Sequence, residues 1–160
     1  MSKPLETDPQ TQRTLILDWY HNLLETRYGS QSGNAWFRKT RHGVWLPNEN
    51  VKPSMVVMDT GQRKARDGDD AETSKELLLS WDIVLNLKDV FGKDKVFVEW
   101  VDRVQQIIVY IQNKCAPQLL VSNDYQDDEP IQTVLADGAV VEAWRIGFES
   151  RYAAEVGELV

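Results

Sequence analysis

The spacing of apolar residues divides the chain into helical and extended stretches. Leu15, Ile16, Trp19, Tyr20, Leu23 and Leu24 recur at intervals of three and four, which puts them on one face of a helix. Asp8 can accept backbone N–H groups ahead of this run, and Pro9 suits a first helical position. Gly29 follows Tyr28 where a left-handed terminal residue would sit. The pattern predicts a helix over 9–28. Residues 54–60 read as a buried strand. Over 76–88, Leu77, Leu79, Trp81, Ile83, Leu85 and Leu87 alternate onto one face of a strand. Glu76, Ser80, Asp82, Asn86 and Lys88 occupy the other face, interrupted by Leu78 and Val84. That second face therefore needs partial cover.

A charged stretch, Gly61 to Ser74, joins these two strands. Asp67-Gly68 is a two-residue hairpin signal, because both central positions of such a turn require positive φ. A turn there would pair Arg66 with Asp69 and Arg63 with Glu72, opposite charges across the ladder. The same register sets Val56 and Met58 opposite Leu79 and Leu77. A charged loop is the alternative reading of this stretch. A second helix is predicted from Asp94 to Cys115, with Phe97, Trp100, Val101, Val104, Ile108, Ile111 and Cys115 on its apolar stripe, widened by Ile107, Val109 and Tyr110 so that more than one side is expected to be buried. Pro117 stops it. Strands are then expected over 118–125, 130–136 and 139–152. A turn at Asp137-Gly138 would pair Leu135 with Val140 and Ile131 with Trp144. This order predicts an α+β fold: two helices against a mostly antiparallel sheet, with a long charged hairpin or loop at 61–74. One domain over 9–153 is expected between flexible tails at 1–8 and 154–160.

Composition narrows the function classes. The 160 residues carry a formal charge of −7, which argues against a general nucleic-acid binder. The charge is uneven. Residues 1–50 balance at +1 and 51–114 at −1, whereas 115–160 hold nine acids against Arg145 and Arg151. No run approaches the ~18 apolar residues of a membrane span, and Met1 to Thr14 lacks a signal peptide's apolar stretch. One cysteine and two histidines leave little for disulfide or zinc chemistry. Between residues 34 and 46, Trp36, Phe37, Arg38, Lys39, Arg41, His42 and Trp45 interleave aromatic and basic side chains. They read as anchors of an irregular segment in preference to a nucleic-acid platform.

Candidate chemistry is sparse. Gly61-Gln62-Arg63-Lys64 lacks the second glycine and the Ser/Thr of a phosphate loop. Asp67 to Asp70 lacks the ligand spacing of a calcium loop. Asp124, Asp127, Asp128 and Glu129 read as a charged turn. Asp59 with a carboxylate on the next strand suggests a metal-dependent nuclease, but position 78 is Leu where a lysine would polarise the phosphate. Cys115 reads as a core residue at a helix C-terminus, where the dipole disfavours thiolate. His21 reads as flanked by Asp18 and Glu25, which would raise its pKa. No catalytic residue, cofactor site or metal site is expected.

The order of elements, with Val56-Val57-Met58-Asp59-Thr60-Gly61, Leu79-Ser80-Trp81-Asp82-Ile83-Val84-Leu85, Val101 to Ile111 and Val141 to Tyr152, resembles the tail terminator (tail completion) proteins of long-tailed bacteriophages. The likeness spans roughly residues 9–153 and is one of pattern, without a diagnostic motif. The aromatic segment at 34–46 and the acidic C-terminal third have no counterpart in it. The resemblance implies a structural virion protein, made in the host cytoplasm, that forms a homohexameric ring at the head-proximal end of the tail tube. Its partners would be other copies of itself, the tail tube protein, the head–tail connector or stopper protein, and DNA passing through without sequence-specific binding. A head-to-tail ring needs two complementary patches per subunit. The candidates for protein contacts are Arg63, Lys64, Arg66, Asp69, Asp70, Glu72, Leu78 and Val84. Asp127, Asp128, Glu142 and Glu149 are the candidates for a channel-facing surface that repels DNA. The alternatives are another neck or connector protein, a component of a contractile injection machine, a metal-dependent enzyme using Asp59 and Asp82, and an acidic adaptor for a basic partner.

Overall fold

The structure, a computed structural model, describes residues 11–65, 76–116 and 122–153. The tails expected at 1–8 and 154–160 lie outside these residues, as do Asp8-Pro9 and the turn at Asp67-Gly68. The fold is α+β. Helices α1 (Gln12–Tyr28) and α2 (Asp94–Gln112) pack on one face of a five-stranded sheet. Its strands are β1 (Lys39–His42), β2 (Ser54–Lys64), β3 (Glu76–Leu87), β4 (Ser122–Val134) and β5 (Val140–Ala153). Their order is β1-β2-β3-β5-β4, with every pair antiparallel except β1 and β2. No helix among the described residues is long and apolar enough to cross a membrane.

The alternation read in β3 is what builds the core. Leu77, Leu79, Trp81, Ile83, Leu85 and Leu87 all face the helices and are at most 4% exposed. Trp81 lies at the centre, stacked between Tyr20 of α1 (4.6 Å) and Phe148 of β5 (4.9 Å). Its indole N–H donates to Ser150 Oγ at 2.8 Å, and that hydroxyl donates in turn to Asn123 Oδ1 at 2.8 Å. Asn123 then reaches Ile111 O at 3.3 Å. One polar thread thus links β3, β5, β4 and α2 inside an otherwise apolar layer. Trp100, Val104, Ile107, Ile108 and Ile111 form the buried stripe of α2.

Several sequence expectations are corrected. Helix α1 starts at Gln12, with Thr11 in extended conformation as its cap and accepting the Thr14 N–H. Gly29 is extended as well, not left-handed. It is required for a different reason: a Cβ there would lie 2.5 Å from the Glu25 carbonyl oxygen, which the Gly29 N–H itself bonds. Helix α2 ends at Gln112, three residues early, so Cys115 is exposed and not part of the core. Val101 also points outward, at 43% exposure. The 34–46 segment anchors the fold: Phe37 is buried, Trp36 stacks on Tyr28 at 4.3 Å, and a short strand, β1, forms between the short strands that the sequence allows at 36–39 and 43–46 and pairs in parallel with β2.

The hairpin registers differ too. Val56 faces Val84 and Met58 faces Asp82, not Leu79 and Leu77. Met55 and Val57 oppose Leu85 and Ile83 on the helix side, and that apolar pairing sets the register because a one-residue slip exchanges the faces of a strand. A bulge between Asp59 and Gly61 shifts the remaining rungs, and Gly61 takes φ +142° there. At the second hairpin, Val134 pairs with Val140 and Ile131 with Ala143. The loop is longer than two residues: Leu135 donates to Ala139 O at 2.8 Å. The strands expected at 118–125 and 130–136 are joined, from Ser122 onward, in β4. The acidic stretch Asp124 to Glu129 is therefore strand and not turn, bulged between Tyr125 and Asp127.

Candidate functional site

Among the described residues, the sheet face turned away from the helices carries a network of ion pairs. Residues of β3, β5 and β4 alternate onto it, and Arg145 of β5 is its hub. The Arg145 guanidinium contacts Asp82 Oδ1 at 3.2 Å, Asp127 Oδ2 at 2.9 Å and Glu129 Oε1 at 3.3 Å. Three carboxylates thus share one cation. Burial pushes the Asp82 carboxyl above its usual range, against the opposing pull of Arg145. Burial acts against the charge of Arg145 as well, but the surrounding carboxylates outweigh it and raise its pKa. Gly147 lies against this hub: a Cβ there would sit 2.7 Å from Asp127 Oδ1 and 2.8 Å from Arg145 Nη1, so those side-chain ends would have to shift. Glu149 meets Arg63 at 3.5 Å and Glu76 meets Arg151 at 3.1 Å, which extends the ionic lattice along the face.

The rest of this face is covered by a loop. Trp45 packs with Met58 and Ile131 over Val56, Val84 and Ala143. Its indole N–H donates to Asn86 Oδ1 at 2.6 Å, and Asn86 Nδ2 donates to Leu46 O at 2.9 Å. The partial cover that Leu78 and Val84 called for is therefore supplied, over Val84, by Trp45. Sequence reasoning placed this tryptophan among the anchors but could not say which face it covers.

Among the described residues singled out for protein contacts, Val84 lies apart from Arg63, Lys64 and Leu78. Val84 is 2% exposed beneath Trp45, and Leu78 is 7% exposed on rungs between Arg63 and Arg151. Arg63 and Lys64 are exposed at the end of β2. Arg66, Asp69, Asp70 and Glu72 lie outside the described residues. Arg63 takes Glu149 as its ionic partner and Leu78 as its strand neighbour.

The four acidic residues considered for a channel surface divide between the two sides of the sheet. Asp127 and Glu149 lie on the side away from the helices. Asp128 lies on the helix side, where it accepts the Trp144 indole N–H at 2.9 Å and the Tyr125 hydroxyl. Burial and the Asp128 carboxylate push the Tyr125 phenol up to about 12. Glu142 accepts the backbone N–H groups of Val90 and Phe91, the latter at 2.9 Å, and so fixes the connection from β3 to α2.

Asp59 and Asp82 lie on opposite faces, because Met58 and not Asp59 is the rung partner of Asp82. Asp59 faces the helices and takes a two-pronged contact from Arg13, with Nη2 to Oδ1 at 2.6 Å. That pair cannot hold one ion. Among the described residues no group of three His, Cys, Asp or Glu side chains is arranged to hold a metal. His21 bonds Thr40 Oγ1 at 3.2 Å, and Asp18 bonds His42 Nδ1 at 2.6 Å, so Asp18 serves the second histidine instead of the first. Both contacts tie α1 to β1.

A second surface went unnoticed in the sequence. It lies on the helix side, where the last turn of α1 meets the C-terminal half of α2 around a groove of about 420 Å³. Gln106, Tyr110 and Lys114 line it at four-residue steps, and Arg103 lies three residues before Gln106 on the same helix. The signal was present in the sequence, but the apolar stripe of the same helix drew the reading. Compared with protein-family models and with curated proteins, the chain matches none.

Proposed function

We propose that this chain is a structural virion protein that closes the head-proximal end of the tail tube of a long-tailed bacteriophage. It would end tube growth and join the tail to the head connector, as the tail terminator proteins it resembles do. The observation that carries this reading is the order of elements. A helix, a short strand, two long paired strands, a second helix and a terminal hairpin follow one another, and this order is what supports the reading. The proposal includes a homohexameric ring, contacts with the tube protein and the connector, DNA passing through without sequence-specific binding, and assembly in the host cytoplasm. The architecture suits a ring subunit: one sheet face carries helices, the other carries charge, so unlike surfaces lie on opposite sides. Head-to-tail closure needs that kind of asymmetry.

The test is genetic. Removing the gene from its phage and examining lysates by electron microscopy should give tails of uncontrolled length and heads without tails, restored by the gene in trans. Tails of normal length attached to heads would overturn the proposal.

A further inference from the structure

The groove between α1 and α2 has an aromatic floor and cationic walls. Trp36 stacks on Tyr28, and Tyr28 meets Tyr110 edge-on at 5.9 Å. Beside one end, outside the groove lining, the Arg103 guanidinium lies 5.4 Å from the Trp36 ring centre and 4.9 Å from that of Trp100. At the other, Arg27 lies 4.3 Å and the Lys114 ammonium 5.3 Å from the Tyr110 ring centre. Cations held over rings keep their positions while their outward N–H groups remain open to a carboxylate. Among the described residues none of these three cations takes part in an ion pair, a state they share with Arg38, Lys52 and Lys88 among others, but these three lie over aromatic rings.

The complementary surface lies on the other side of the same molecule. Strand β4 is an edge strand. Its register with Glu149, Gly147 and Arg145 puts Asp124, Asp127 and Glu129 on the face away from the helices. All three are exposed. Arg145 is shared by Asp82, Asp127 and Glu129, and Asp124 has no cationic partner among the described residues, so the ridge keeps a surplus of negative charge. The bulge at Tyr125/Asp127, Pro130 and the acidic side chains all disfavour backbone pairing with another strand. Contact through side chains is what this edge permits.

We propose that the α1–α2 groove, through Arg27 and Lys114, docks the acidic β4 ridge of a second copy of this chain. The ridge cannot reach the groove of its own molecule, because the two lie on opposite sides of the sheet. The contact is therefore head-to-tail, and it repeats from copy to copy until it closes. It deepens the ring reading by naming the two surfaces, but it is tested without phage.

The experiment is sedimentation velocity on the full chain at ~20 mM and ~500 mM salt, which span weak and strong screening. The wild type should associate at low salt and dissociate at high salt. A groove variant, Arg27→Glu with Lys114→Glu, and a ridge variant, Asp124→Lys with Glu129→Gln, should each associate at least tenfold more weakly. An equimolar mixture of the two should recover association, since the reversed groove now fits the reversed ridge. Circular dichroism melts establish that each variant is folded. Should either fail to fold, Arg27→Gln and Asp124→Asn replace them, with a threefold or greater weakening expected. A wild type monomeric to about 1 mM at low salt, unchanged association in the folded variants, or no recovery on mixing would each overturn the proposal. Association without effect on tails in the phage would leave this contact standing and remove the tail-terminator reading.

Discussion

Ser150 offers the most exacting check on how β4 is held. Its side chain, fully buried, accepts from the Trp81 indole and donates to Asn123. Ser150→Ala removes about one atom of volume but leaves the Trp81 N–H and the Asn123 amide oxygen without their partner. A buried polar group left unsatisfied costs about 1–3 kcal/mol. Asn123 keeps its bond to Ile111 O, so its share falls at the low end. The expected loss is about 2–4 kcal/mol, a large part of the roughly 5–15 kcal/mol that holds a domain together. The melting temperature should fall by ~5–15 °C. Urea unfolding followed by circular dichroism measures the change directly. A double-mutant cycle isolates the mechanism: with Trp81→Phe there is no indole N–H to strand, so Ser150→Ala should cost about half as much. A loss below about 0.5 kcal/mol in the wild-type background, or an equal loss in both, would refute the reasoning.

Three further outcomes follow from the same geometry. Gly29→Ala drives a Cβ to 2.5 Å from a backbone carbonyl that cannot move freely and should cost about 1–3 kcal/mol by thermal melting; an unchanged melting temperature would contradict the close approach. The raised pKa of Asp82 means that the folded chain holds this proton more tightly than the unfolded chain does. Its stabilising contribution is complete below the ordinary value of 3.8 and is lost as pH rises through the folded-state pKa. Asp82→Asn, which cannot ionise, should therefore gain on the wild type in melting temperature between acid and neutral pH; a gap that narrows with rising pH would show that Arg145, not burial, dominates. Cys115, exposed beyond the end of α2, should react with a thiol reagent in the folded protein as fast as a model peptide, whereas protection until unfolding would put it back in the core.

Much of the fold was legible because its strongest signals are local. The alternation from Leu77 to Leu87 and the stripe from Trp100 to Ile111 identified the core strand and the core helix, and they also required cover over Val84. What could not be read were relations between distant residues. The Asp67-Gly68 signal suggested a register, but pairing of Met55 and Val57 with Leu85 and Ile83 decided it. Asp124 to Glu129 looked like a turn because acidic residues disfavour strands when considered alone. Arg145, Trp144 and Tyr125 supply the partners that make a strand there favourable. The site suffered most. Arg145 was counted only as one of two late cations, although it gathers carboxylates from two other strands. Leu78 and Val84 looked available for contacts because neither the loop carrying Trp45 nor the flanking arginines could be placed. The Arg103–Tyr110–Lys114 stripe was hidden by the apolar periodicity of its own helix.

The central claim is one of location in the virion, and immunogold labelling tests it most directly. Under the proposal the chain is part of phage particles, and particles carrying an epitope tag at its C-terminus would be labelled and examined by electron microscopy. The account predicts gold at the junction of head and tail, and at one end only of tails detached from heads. Gold along the tube, at the distal tip, or absent from purified particles would contradict it.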